Sequence, residues 1–157
     1  MSIVGLEDLP PILSAGQRLL GLDLGEKTIG LALTDTLRTV ATPLKTLKRG
    51  KFACDAAIIM GVIAEHGIGA IIVGLPLNMD GSTGPSAQSA QAFARNFAKL
   101  SDCPVVLVDE RLSTAAVTRT LLDADASRLR RRAVVDKMAA AYVLQGVLDR
   151  LGRMRMG

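Results

Sequence analysis

The sequence predicts an α/β domain on a mixed five-stranded sheet, three antiparallel strands followed by two parallel ones, with helices on both faces. Three observations lead there. Up to Leu47 the chain holds three short apolar segments joined by short links. Beyond it, apolar residues recur at helical spacing and alternate with short, wholly apolar runs. A length of 157 residues sets one domain.

Gln17 and Arg18 open the first strand, which runs through Leu19, Leu20, Gly21 and Leu22 to Asp23. Gly25 marks a turn, and residues 29–34 form the second strand. Residues 40–47 form a third, interrupted by Pro43, which cannot donate to a ladder and so belongs at an edge. Three successive strands with short links make an antiparallel meander. The period then changes. Residues 53–65 repeat apolar side chains at helical spacing. Residues 70–73 form an apolar run suited to a parallel strand buried on both faces. Residues 74–85 are a loop rich in Gly, Pro, Asn and Ser. Residues 86–100 are helical, with Ala90, Phe93, Ala94 and Phe97 on one stripe. Pro104 precedes a second buried strand, 105–108. Ser113 caps a helix over 114–123. Residues 124–132 are a polar, basic link, and 134–151 form a last long helix. The domain thus spans 17–152. Residues 1–16, where Pro10 and Pro11 break any helix, form a peripheral arm. Residues 153–157 are a frayed basic tail.

Composition narrows the function. Hydrophobic content of 49% and charged content of 22% place the chain among globular proteins. Two cysteines, Cys54 and Cys103, and one histidine, His66, supply neither a disulfide framework nor a zinc site. No apolar run approaches the roughly 20 residues of a membrane helix. Glu7, Asp8, Pro10 and Pro11 stand where a signal peptide needs a basic and then an apolar segment. A soluble, reducing, cytoplasmic protein without a membrane partner is expected. The net charge is +4, but residues 128–157 alone carry eight basic groups against two acids, and the remainder is net negative. A basic cluster of this kind fits a polyanion such as nucleic acid, or else a solvated run. With 3% aromatic residues, binding would rest on phosphates rather than stacked bases.

Three acids draw attention. Asp23 ends the first strand among hydrophobes, where a carboxylate is costly unless paired or metal-bound. Asp109 and Glu110 sit at the end of the last strand, and chemistry collects at the carboxyl ends of strands in α/β sheets. Asp136 opens the last helix. Each has a structural reading: a turn hydrogen bond for Asp23, an ion pair with Arg111 for Glu110, a dipole acid for Asp136. Together, two strand ends and one helix start can converge. Converging carboxylates repel, and a divalent cation resolves this. Mg²⁺ or Mn²⁺, as a pair of ions, can activate water for phosphodiester cleavage.

Four blocks in order resemble the YqgF (RuvX) family: residues 21–35 around Asp23, 73–82, 108–114 with the Asp-Glu-Arg triplet, and 135–145 with Asp136. The resemblance covers about residues 18–151. It implies a ribonuclease-H-like fold and a nuclease that matures the 5′ end of pre-16S rRNA, in a family earlier described as Holliday-junction resolvases. It also implies that Asp23, Glu110 and Asp136 are the catalytic, metal-holding acids.

Supporting residues have two readings each. Asn78, Ser82 and backbone N–H groups can hold a phosphate or form a polar loop. Arg111 can position phosphate or pair with Glu110 or Asp109. Arg128, Arg130, Arg131 and Arg132 can bring a nucleic-acid backbone to the metals or form a solvated loop. His66 reads as a helix C-terminal residue. The leading expectation is a metal-dependent endonuclease on structured RNA, a monomer or weak homodimer. A resolvase of four-way DNA uses the same chemistry. A non-catalytic RNA-binding assembly factor needs the basic segment but not the acids. An actin-like or sugar-kinase-like ATPase would use residues 23–30 as a phosphate hairpin, but the chain is short for two lobes.

Overall fold

A computed structural model describes residues 3–78, 80–110 and 128–156, the last of these with side chains for 137–154. Strands β1 (Arg18–Leu24), β2 (Thr28–Thr34) and β3 (Ala41–Lys48) form the antiparallel meander. Strands β4 (Ile68–Leu75) and β5 (Val105–Asp109) add on the other side of β1, both parallel. The order is β3-β2-β1-β4-β5. Pro43 lies on an edge strand as expected. It sits at a bulge, where the pairing steps from Leu31↔Lys45 to Ala32↔Pro43 and leaves Leu44 unmatched.

The peripheral arm is not free of helix as Pro10 and Pro11 suggest. A 3-10 turn (Leu6–Asp8) leads into a short helix, α1 (Leu9–Ile12), with prolines in its first turn. N–H groups there have no intrahelical partner, so Pro10 and Pro11 cost it no hydrogen bond. Leu9 is fully buried. The Val4 N–H donates to the Val105 carbonyl at 2.9 Å, and Ile3 bridges Val105, which covers part of the β5 edge.

Helices α2 (Phe52–His66) and α3 (Pro85–Leu100) lie where the apolar periodicity put them. Helix α2 stops at Gly67, whose φ of 64° suits a residue without Cβ. The last helix, α4 (Arg128–Met156), is longer than expected at both ends. Residues 128–132 are helical rather than a link, and the basic tail continues the helix to Met156. The expected helix over 114–123 lies outside the described residues.

Two cores flank the sheet. On one face Leu20, Leu22, Ile29, Leu31, Ile71 and Val73 pack against Ile59 of α2 and Phe93 and Phe97 of α3. On the other, Leu19, Ala32, Ile72, Val106 and Val108 pack against Ala140, Leu144 and Val147 of α4, with Leu9 beside them. Each buried Leu, Ile, Val or Phe among them contributes about 1.5–3 kcal/mol.

Candidate active site

Strand alternation decides which side chains meet α4. In β1 the even-numbered leucines serve the α2/α3 core, so Leu19, Gly21 and Asp23 face α4. In β4 the same face carries Ala70, Ile72 and Gly74, and in β5 Val106 and Val108. The register pairs Leu22 with Val73, which brings Asp23 alongside Gly74 at the next step, and it pairs Gly74 with Val108. Asp23, Gly74 and Val108 thus form a row at the carboxyl ends of three parallel strands. Glu110 follows directly on the end of β5. Both carboxylates are deeply buried: Asp23 is 1% exposed and Glu110 3%.

Two glycines make room for this arrangement. A Cβ on Gly74 would stand 3.4 Å from Glu110 Cγ and 3.5 Å from Val143 Cγ2. The bare backbone of β4 is therefore the floor that separates Asp23 from Glu110. A Cβ on Gly21 would stand 3.1 Å from the Ala140 carbonyl oxygen and 3.2 Å from Leu144 Cβ. Helix α4 thus crosses β1 at close range because position 21 is glycine. Position 136 lies one turn before Ala140 on that helix. Its side chain is outside the description.

The other predicted residues fall in three groups. Asn78 and Ser82 are brought together: the Asn78 side-chain amide donates to Ser82 Oγ at 2.9 Å, and the Asn78 N–H to the Ser82 carbonyl at 3.0 Å. Ser82 in turn donates to Asp80 Oδ1 from its N–H and its hydroxyl. Arg111 lies outside the described residues. Arg128, Arg130, Arg131 and Arg132 are in the first turns of α4, a helix whose start the sequence reading put later, and their side chains are not described.

Sequence reasoning missed a second feature at this end of the sheet. Leu24, Gly25, Glu26, Arg49, Pro85, Ser86 and Ser89 line a cleft of about 500 Å³ beside the β1–β2 turn. Arg49 braces it, donating from Nη1 to the Gly25 carbonyl at 2.8 Å and from Nη2 to Ser89 Oγ at 2.9 Å. The available signal was local charge: residues 27–51 hold six basic groups and a single acid, Asp35.

The donor chemistry suits a hard cation. Asp23 and Glu110 offer buried carboxylate oxygens on either side of Gly74, which has no side chain, and His66, Cys54 and Cys103 are not part of this row. Among the described residues no group of three metal-ligating side chains assembles.

Residues 17–150 match the profile of the family described as RuvX, Holliday junction resolvase. The chain belongs to this family. It is 58% identical over 149 residues to the "Putative pre-16S rRNA nuclease" of Paramagnetospirillum magneticum, covering 95% of this chain and 96% of the relative. It is 57% identical over 152 residues to the protein of the same name from Methylocella silvestris, covering 97% and 94%. Among solved structures it resembles Thermus thermophilus RuvC in complex with a Holliday junction substrate, with a TM-score of 0.52 and 17% identity over 87% of this chain and 96% of that one. That likeness establishes the ribonuclease-H-like fold of this RuvX-family member.

Proposed function

We propose that this protein is a metal-dependent endonuclease that hydrolyses phosphodiester bonds in structured RNA and matures the 5′ end of pre-16S rRNA. It would act in the cytoplasm as a monomer or weak homodimer. The observation that carries the reading is the placement of two buried carboxylates, Asp23 and Glu110, at the ends of β1 and β5 on either side of Gly74 in β4. Family membership and the names of the relatives support it.

In this reading Asp23, Glu110 and Asp136 hold Mg²⁺ or Mn²⁺, as two ions. When bound, such ions lower the pKa of a water and stabilise the leaving oxygen. The protein's part is positional. Strands β1 and β5 fix the two acids on rigid backbone, and burial excludes bulk water from them. Gly21 lets α4 approach closely, which brings position 136 towards the sheet. Arg111, Arg128, Arg130, Arg131 and Arg132 supply guanidinium groups for the substrate backbone, and the Asn78–Ser82 loop borders the strand ends.

The test is cleavage of a pre-16S precursor and a four-way DNA junction side by side, with Mg²⁺ and with Mn²⁺. Wild type is expected to cut the RNA, and Asp136→Asn to lose that cut while still binding it. Wild type that cuts neither would overturn the enzyme reading, as would rescue of a deletion strain by Asp23→Ala. The family's resolvase description favours a second reading, the junction as substrate. Preferential junction cutting by a dimer would establish it, since resolution takes two cuts.

A further inference from the structure

We infer that the end of the β2–β3 hairpin, through Lys27, Lys48, Arg49 and Lys51, is a docking track for the phosphodiester backbone of a polynucleotide running towards Asp23.

The sheet dictates the placement. Asp23 pairs with Gly30, and Gly30 with Thr46, so these three form one row across β1, β2 and β3. Alternation puts Lys48, two residues beyond Thr46, on the same face as Asp23. Strands β1 and β3 run in the same direction, because each is antiparallel to β2. Lys48 therefore leaves the sheet at the end where Asp23 lies, about 10 Å across two strand spacings and about 7 Å further along. Lys27 sits in the β1–β2 turn, tied in by the Arg49 N–H, which donates to its carbonyl at 2.8 Å. Lys51 follows as the residue before α2.

Charge and shape agree. Lys27, Lys48 and Lys51 are exposed, and Arg49 is half-buried as the brace of the cleft. Glu26 is the acid lining that cleft among the described residues. Asp55, nearby in sequence, is buried, and both its oxygens accept the Gly50 N–H at 3.2 Å, so it offers no counter-charge at the surface. Ser86 and Ser89 add hydroxyls to the opposite wall. Exposed lysines next in sequence to the arginine and the glutamate of this cleft, at the Asp23 end of the sheet, match a chain of phosphates. They do not match an apolar peptide, for which the cleft offers little beyond Leu24 and Pro85. Among the described residues no aromatic side chain lines it, so recognition would follow charge rather than base stacking.

This rests on the nuclease reading for the class of partner alone, and binding separates from cleavage experimentally. Anisotropy of a fluorescein-labelled RNA hairpin is measured in EDTA, across about 50 to 200 mM salt. Lys48→Ala/Lys51→Ala is expected to bind about tenfold more weakly, with a salt slope lower by about 1.5–2. Lys27→Ala alone should lower the slope by about 1. The charge-matched control Arg95→Ala/Lys99→Ala, on the exposed side of α3, should leave the slope unchanged. A DNA hairpin should show the same pattern, since phosphates carry the contact. Thermal melts confirm that each variant folds. An unchanged slope in both lysine variants, or an equal drop in the control, overturns the track even if the protein cleaves RNA with Mg²⁺. Wild type that binds no nucleic acid overturns both the track and the reading it rests on.

Discussion

The side chain of Glu110 lies over Gly74, with Cγ 3.4 Å and Cδ 3.5 Å from where a β-carbon of Gly74 would stand. A methyl there makes ordinary van der Waals contact, so Gly74→Ala is expected to fold with little loss. Gly74→Val adds two carbons more than alanine to space that Glu110 and Val143 already fill. It should lose about 1–3 kcal/mol of stability, and displace Glu110 from its place over Gly74. Denaturant titrations and cleavage assays on the pair check this. Equal behaviour of Ala and Val would mean that Gly74 does not space the acids.

Gly21 has a tighter constraint of a different kind. Its nearest neighbours include a backbone atom, the Ala140 carbonyl oxygen at 3.1 Å, which cannot swing aside as a side chain can. Gly21→Ala is therefore expected to push α4 outward and to cost about 1–3 kcal/mol, more than Gly74→Ala. A melt in which the two alanine variants lose the same stability would contradict that ranking.

The meander and the parallel strands were legible because their apolar runs are short and bounded by Gly, Pro and charged residues. Pro43 announced an edge because a missing N–H is intolerable elsewhere in a sheet. The acids stood out because carboxylates are rare among strand hydrophobes. Their position at strand ends near the loop that begins at Gly74 was legible too; the room Gly74 leaves for Glu110 was not, since it depends on the register of β4 with β1 and β5. Pro10 and Pro11 misled because a proline breaks a helix interior but fits a first turn. The early start of α4 was hidden because Arg128 to Arg132 present little apolar pattern, although arginine is a good helix former. The basic hairpin end vanished into a charge sum taken over most of the chain.

Leu9 tests whether the amino-terminal segment is part of the fold. It is fully buried, packed with the α4 core, while Ile12 three residues on is 43% exposed. Leu9→Ala is expected to cost about 2–5 kcal/mol and Ile12→Ala far less. Urea midpoints for the two variants give the comparison. A Leu9→Ala midpoint at the wild-type value would return the segment to the status of a loose arm.

Asp35 gives the turn between β2 and β3 a pH dependence. The Val40 N–H, the Thr39 hydroxyl and the Thr39 N–H all donate to its carboxylate and hold it ionised, drawing its pKa from 3.8 to about 2. The folded value lies below the unfolded one, so the stabilisation is complete above about pH 4 and disappears as pH falls towards 2. Asp35→Asn should melt below wild type at pH 7, and the gap should narrow between pH 4 and pH 2. A gap that stays constant over that range would show that the carboxylate charge is not what the turn uses.

Asp23 and Glu110 are tested by the response to cation. Melts of wild type, Asp23→Asn and Glu110→Gln in EDTA give each protein its own reference Tm. With Mg²⁺ or Mn²⁺ at about 100 times its dissociation constant, wild type should gain about 2.7 kcal/mol. For a chain of this length that raises Tm by roughly 5–10 °C. The variants should lose this gain and at least about a hundredfold of the cleavage rate. Acids that merely complete the packing would leave the cation response intact in both variants. The rise in Tm on adding cation, taken against each variant's own melt in EDTA, therefore distinguishes a site built for a cation from a pair of structural carboxylates, even before a substrate is in hand.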